Sequence, residues 1–213
     1  MTMVTRKSML SLFSSLVMLL TVFSFNTSAS ANAMTDTEET PDLSNLENVD
    51  VSARFDMNTD GVQEQEVYGD DGEVIGTLRV KNLDQVASAN DPTLIPLGES
   101  TFEIEFDGSS DIVNMMKFDV TVNGRESMWS WPVSEIVRAD NSDYDLKKNF
   151  HSDYEEINIR NNLEHSGFTP AWARYGIIVS TTSPSSFVGY AFLDARMEYG
   201  YLTTSFAFYN LAP

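Results

Sequence analysis

The chain has no cysteine, only two histidines, and thirteen basic residues against thirty-two acidic ones. The missing cysteine excludes a disulfide framework, a thiolate metal centre, a thiol nucleophile and a lipid-attachment cysteine. Two histidines exclude a histidine-rich metal site. His151 with Asp153, Glu155 and Glu156 is the one dense ligand candidate, and a solvated acidic loop accounts for the same residues. The shortage of lysine and arginine excludes nucleic-acid binding, because affinity there comes mainly from cations that neutralise phosphates. Anionic membranes and teichoic polymers are disfavoured for the same reason. Cations, basic proteins and neutral glycans remain as partners. No G-x-S-x-G elbow and no phosphate-binding glycine loop occurs.

Long apolar runs are also missing, with one exception near the start. Met9 to Phe25 is 17 residues rich in Leu, Val, Met and Phe. It follows Arg6 and Lys7 and precedes Ala31-Asn32-Ala33, an A-x-A cleavage site. This is the pattern of a secretory signal peptide over residues 1–33. Its five Ser and Thr residues and its length suit a cleaved leader better than a permanent span, which needs roughly 20 apolar residues. Cleavage after Ala33 is expected, with Ala31 as the alternative. Loss of Arg6 and Lys7, and of no acid, takes the formal charge from −19 to −21. An exported chain without cysteine reads as bacterial, and Gram-positive. The last residues, Phe206 to Pro213, show no anchor pattern, so the expectation is a protein in the medium or loosely held at the wall, with no membrane contact after cleavage.

Residues 34–50 are acidic, contain Pro41 and lack periodicity, so they are expected to be a disordered leader. From residue 51 to 213 the sequence reads as one β-sandwich or barrel-like domain. Val51, Ala53 and Phe55 alternate with polar residues. Val62 to Tyr68 and Val74 to Val80 flank Gly69-Asp70-Asp71-Gly72, a hairpin turn. Asp91 to Gly98, with two prolines, reads as a loop. Phe102, Ile104 and Phe106 alternate with Glu103, Glu105 and Asp107, the mark of a strand with one dry and one wet face. Phe118, Val120 and Val122 repeat this, with Asn123-Gly124 predicting the next turn and Arg125 to Val133 the returning strand. Arg138 to Gly167 is polar. Ile159 and Leu163, four apart, with Gly167 as a stop, predict one or two short helices there. Ala173 to Thr181, then Phe187 to Arg196 and Leu202 to Tyr209 as a last hairpin, complete the domain.

Two groups of residues could bind something. Asp56, Asn58, Asp60 and Gly61 form D-x-N-x-D-G, the first half of a calcium loop. The second half departs from it: Gln63 stands where an apolar residue belongs and Val67 where a bidentate Glu belongs. A polar β-turn explains the same residues, and calcium remains an open cofactor reading. Trp129 and Trp131 lie on one face of a predicted strand. With Trp172, Tyr190, Tyr199, Tyr201 and Tyr209 they are candidates for a sugar-stacking platform, or else for core packing. The many carboxylates make an Asp/Glu catalytic pair uninformative, since some pair will always lie close enough.

The stretch Arg54-Phe55-Asp56-Met57-Asn58-Thr59-Asp60-Gly61-Val62-Gln63, followed by Val67-Tyr68-Gly69-Asp70-Asp71-Gly72, resembles the opening of an uncharacterised family. Its members are small secreted, β-rich proteins of Gram-positive bacteria, classed as a domain of unknown function. Lys117-Phe118-Asp119-Val120-Thr121-Val122-Asn123-Gly124 is similar to its central strand and turn. The resemblance implies export and a β fold. It assigns no activity and no site. The expectation is therefore a secreted, non-enzymatic binding module for a surface glycan or protein. A secreted glycan hydrolase and a calcium-stabilised adhesive module are the alternatives.

Overall fold

The computed structural model describes residues 43, 46–84, 98–108, 111–126, 132–163, 169–182, 185–198 and 200–211. The signal peptide with Ala31 and Ala33, nearly all of the acidic leader, the 91–97 loop, Trp129, Trp131, Gly167 and Tyr199 lie outside the described residues.

Every named element is a strand, as the alternating sequence predicts: β1 (Val49–Asp56), β2 (Val62–Tyr68), β3 (Val74–Asn82), β4 (Gly98–Gly108), β5 (Val113–Glu126), β6 (Pro132–Leu146), β7 (Phe150–Asn161), β8 (Ala171–Thr181), β9 (Phe187–Glu198) and β10 (Tyr201–Asn210). They form two antiparallel five-stranded sheets. Sheet I runs β1-β10-β9-β8-β7 and sheet II runs β2-β3-β4-β5-β6. The chain starts in sheet I and meanders through all of sheet II. It then returns to sheet I, where β10 closes against β1 in register Val51↔Phe206 and Phe55↔Leu202. Each sheet buries one face of alternate residues against the other sheet, which is the stable solution for strands with one apolar side.

The core is filled with large side chains. Phe102, Phe106, Phe118, Ile104, Leu78 and Met116 come from sheet II, and Tyr175, Ile177 and Phe206 from sheet I. The rings of Phe106 and Phe206 stack across the interior, centroids 3.8 Å apart and planes 3° apart. Gly76 and Gly108, opposite each other in the β3–β4 ladder, make room for the Phe106 ring. A Cβ at Gly76 would lie 2.6 Å from Phe106 Cε2, and one at Gly108 would collide with the same ring.

The outside of sheet II takes up much of the acidity. One row across all five strands alternates in sign: Glu64, Arg79, Glu105, Lys117, Asp143. Arg79 reaches Glu64 at 2.9 Å, Glu105 at 2.9 Å and Asp107 at 2.8 Å. Opposite charges directly across a ladder support a solvated sheet face.

Two expectations are overturned. Asn123-Gly124 is not a turn: both residues lie inside β5, paired with Glu99 and Gly98 on one side and with Glu135 and Ser134 on the other. Arg125 and Glu126 continue the same strand, so the returning strand begins at Pro132. The predicted helices are also absent among the described residues of this segment. Residues 138–146 belong to β6 and 150–161 to β7. These are the outermost strands of the two sheets. The start of β6 gains one further pairing, Ile136 N–H donating to the Asn162 carbonyl at 2.7 Å, and elsewhere each strand has a ladder neighbour on one side, which is why they carry so few apolar residues.

Candidate functional site

The outside of sheet I differs in kind from that of sheet II. Strand register lays its outward residues in cross-strand rows. At one end, Tyr209 of β10, Tyr190 of β9, Ile178 of β8 and Tyr154 of β7 stand side by side. The next row holds Ala207, Phe192, Gly176 and Glu156. Then come Ser205, Asp194, Arg174 and Asn158. The far row is Arg54, Thr203, Arg196 and Trp172.

The first two rows make an aromatic platform. Tyr154, Tyr190 and Tyr209 are 54%, 36% and 40% exposed. Tyr190 and Phe192 lie nearly parallel with centroids 6.0 Å apart, and Phe192 meets Tyr209 at 6.1 Å. Gly176 lets the Phe192 ring lie against the strand, because a Cβ there would sit 2.9 Å from Phe192 Cδ1. The result is a hollow of about 130 Å³ lined by Tyr154, Ile178, Tyr190 and Phe192, with Asn158 and Arg174 on its polar side. It is mostly apolar, with a few polar groups at its edge.

The arginine end is held in a fixed geometry. Arg174 donates two hydrogen bonds to Asp194, Nε to Oδ1 at 2.7 Å and Nη2 to Oδ2 at 2.8 Å. Asp194 is nearly buried, and Arg196 adds a third, longer contact at 3.3 Å. Both guanidinium groups also sit near the Trp172 ring, at 5.0 Å for Arg174 and 4.9 Å for Arg196. Arg174 lies 4.3 Å from the Phe192 ring centre, which joins the two ends. Beyond Arg196, the Arg54 guanidinium lies 3.7 Å over the Tyr201 ring.

Of the aromatic residues singled out in the sequence, Trp172, Tyr190, Tyr201 and Tyr209 are on this face, while Trp129 and Trp131 lie outside the described residues. Tyr154, Phe192 and Arg174 escaped the sequence reading. The i, i+2 pair Tyr190 and Phe192, alternating with the inward residues Ala191 and Leu193, is the signal that points to a strand apolar on both faces.

The D-x-N-x-D-G segment is a hydrogen-bonded turn. Asp56 Oδ1 accepts from the Asn58 main chain at 2.9 Å and from Asn58 Nδ2 at 3.2 Å. Gln63 brackets Asp56: it accepts from the Asp56 N–H at 3.2 Å and its Nε2 donates to the Asp56 carbonyl at 2.6 Å. Gly61 takes φ +87°, the left-handed turn for which glycine is suited. Among the described residues no group of three or more His, Asp or Glu converges as metal ligands.

His151, Asp153 and Ser180 form a chain in an order that does not activate a nucleophile. Ser180 donates to Asp153 at 2.7 Å, and His151 Nε2 contacts the other oxygen of Asp153 at 3.0 Å. The aspartate lies between hydroxyl and imidazole, whereas a catalytic serine needs the imidazole next to it. The Ser180 hydrogen bond, and after it the His151 charge, hold the Asp153 carboxyl below the usual carboxylate range.

No family model, curated protein or solved structure matches this chain. The functional reading rests on the face itself.

Proposed function

We propose that the protein is an exported, non-enzymatic binding module, and that its ligand is a carbohydrate chain laid on the outside of sheet I. One observation carries the reading: Tyr154, Tyr190, Phe192 and Tyr209 form a half-exposed aromatic platform on the outer face of a sheet whose partner sheet is faced with ion pairs. A soluble chain does not gather that much outward aromatic surface without a use for it. A pyranose ring has a flat face of C–H groups and a rim of hydroxyls. Aromatic rings suit the face. The amide of Asn158 and the carboxylate of Glu156, beside the hollow, suit the rim.

The leader at residues 1–33 supplies the address. Export would put this face in the medium or at the wall, where polysaccharides are the abundant polymers.

The test is retention of the purified protein on a panel of insoluble cell-wall and plant polysaccharides. At least one should retain it, and Tyr190→Ala with Tyr209→Ala should weaken retention by about tenfold, the loss of roughly 1.4 kcal/mol of ring contact. Both side chains are half exposed, so the thermal midpoint should stay close to that of the parent. Retention on no polysaccharide, or full retention by the double variant, would sink the proposal.

A further inference from the structure

The arginine end of the same face points to the class of sugar. We propose that it is an anion subsite, and that the carbohydrate carries carboxylates: an oligosaccharide of uronic acid residues, one carboxylate being forked by Arg196. The proposal rests on the platform reading above and makes it specific.

The charge of the whole chain argues for repulsion of such a ligand. The local arrangement argues the other way. Arg54, Arg174 and Arg196 sit on this face, while Lys81 and Lys117 sit on the outside of sheet II. Asp194 is the one acid in the two rows that hold these arginines, and it is already engaged. Its two oxygens take Arg174 at 2.7 and 2.8 Å, and its side chain is only 5% exposed. That leaves Arg196 as the cation of these two rows least engaged by an acid, with Glu198 two residues further along its own strand. Its side chain is 44% exposed, and its contact with Asp194 is a single long one of 3.3 Å. An arginine has five N–H donors in a planar fork, so most of this fork remains for a ligand.

The fork is also pre-positioned. Trp172 lies beside it at 4.9 Å and limits the rotamers that Arg196 would otherwise sample. Less ordering on binding means more of the contact appears as affinity. Thr203, directly across the ladder, adds a hydroxyl donor, and Arg54 follows it on β1. The row thus offers donors to an anion, and the nearest other carboxylates, Glu198 and Asp56, stand in the next row beside Tyr201.

Spacing fixes the length of the ligand. Arg196 and Tyr190 are six residues apart on one strand, about 20 Å. A single sugar does not span that, so the subsite and the platform are joined only by a chain.

The experiment compares three soluble oligosaccharides of equal length on the full mature protein, read by tryptophan fluorescence and by calorimetry. One is an oligouronate, one its carboxyl-reduced form, and one a sulfated chain without carboxylates. The oligouronate should bind about tenfold tighter than the reduced chain, as expected for a charge-assisted fork. Arg196→Gln should narrow that ratio to within about twofold, and a monosaccharide uronate should not compete. Equal binding of oligouronate and reduced chain, or an unchanged ratio in Arg196→Gln, would overturn the subsite and leave the platform standing. Tighter binding of the sulfated chain would overturn the carboxylate assignment. Binding of none of the three would remove the subsite, and failure on the wider polysaccharide panel would remove the platform with it.

Discussion

Phe106 and Phe206 face each other across the interior, ring on ring, 3.8 Å between centroids and 3° between planes. One comes from the middle strand of sheet II and the other from β10, so this contact ties the two meanders together. Both rings are fully buried. Phe206→Ala removes the ring and leaves Phe106 facing a void. The expected cost is about 4 kcal/mol, the middle of the range for a buried aromatic. Urea unfolding followed by tryptophan fluorescence measures it, and a loss below about 2 kcal/mol would mean that the sheets close over the gap.

Tyr175 predicts the behaviour at high pH. Its ring is buried and its hydroxyl donates to Glu155 at 3.1 Å. Burial first, and then the Glu155 carboxylate, push the phenol well above its ordinary value. A pKa raised on folding gives stability that is fully present below the unfolded value near 10 and is lost as pH rises beyond it. The domain should therefore lose up to about 1.4 kcal/mol per pH unit above pH 10 through this residue. Tyr175→Phe should flatten that slope, at a cost of about 1 kcal/mol at neutral pH for the lost hydrogen bond. Unfolding curves at pH 8, 10 and 11 decide it: parallel losses in both proteins would show that Tyr175 does not set the alkaline limit.

Where the sequence can be read and where it cannot follows from which face each residue serves. Phe102, Ile104 and Phe106 were legible because β4 is the middle strand of its sheet, dry on one side and wet on the other. Arg138 to Gly167 was not, because β6 and β7 are edge strands. Their core-packed residues Ala139, Tyr144, Leu146, Phe150, Ile157 and Ile159 are only partly buried, and polar and acidic residues stand between them. Ile157 and Ile159, two apart, were the true signal. Ile159 and Leu163, four apart, were a coincidence of spacing. Asn123-Gly124 shows turn chemistry overruled by pairing, since neighbours on both sides hold it in the ladder. The half calcium motif was legible as a turn, and its Gln63, out of place for calcium, turns out to bracket Asp56. The aromatic face of sheet I was half legible. Composition found Trp172, Tyr190 and Tyr209, but only strand register puts Phe192 and Arg174 between them.

The Arg174–Asp194 pair should behave as one unit. Asp194 is nearly buried, and both of its oxygens are taken by Arg174. Replacing only the aspartate leaves two guanidinium groups side by side on one ring, with no counter-charge. Asp194→Leu should therefore cost about 3 kcal/mol, the usual penalty for removing one partner of a buried pair. Adding Arg174→Leu removes the stranded charge and puts an apolar side chain beside Phe192. The double variant should then recover more than half of that loss, since an apolar pair of similar volume is often as stable as the ion pair it replaces. Arg196, nearly half exposed, keeps its own hydration. Urea unfolding of the parent, the two single variants and the double variant gives the coupling directly. Additive costs would show that the pair does not stabilise the face, and that Arg174 is held by the rings of Trp172 and Phe192 alone.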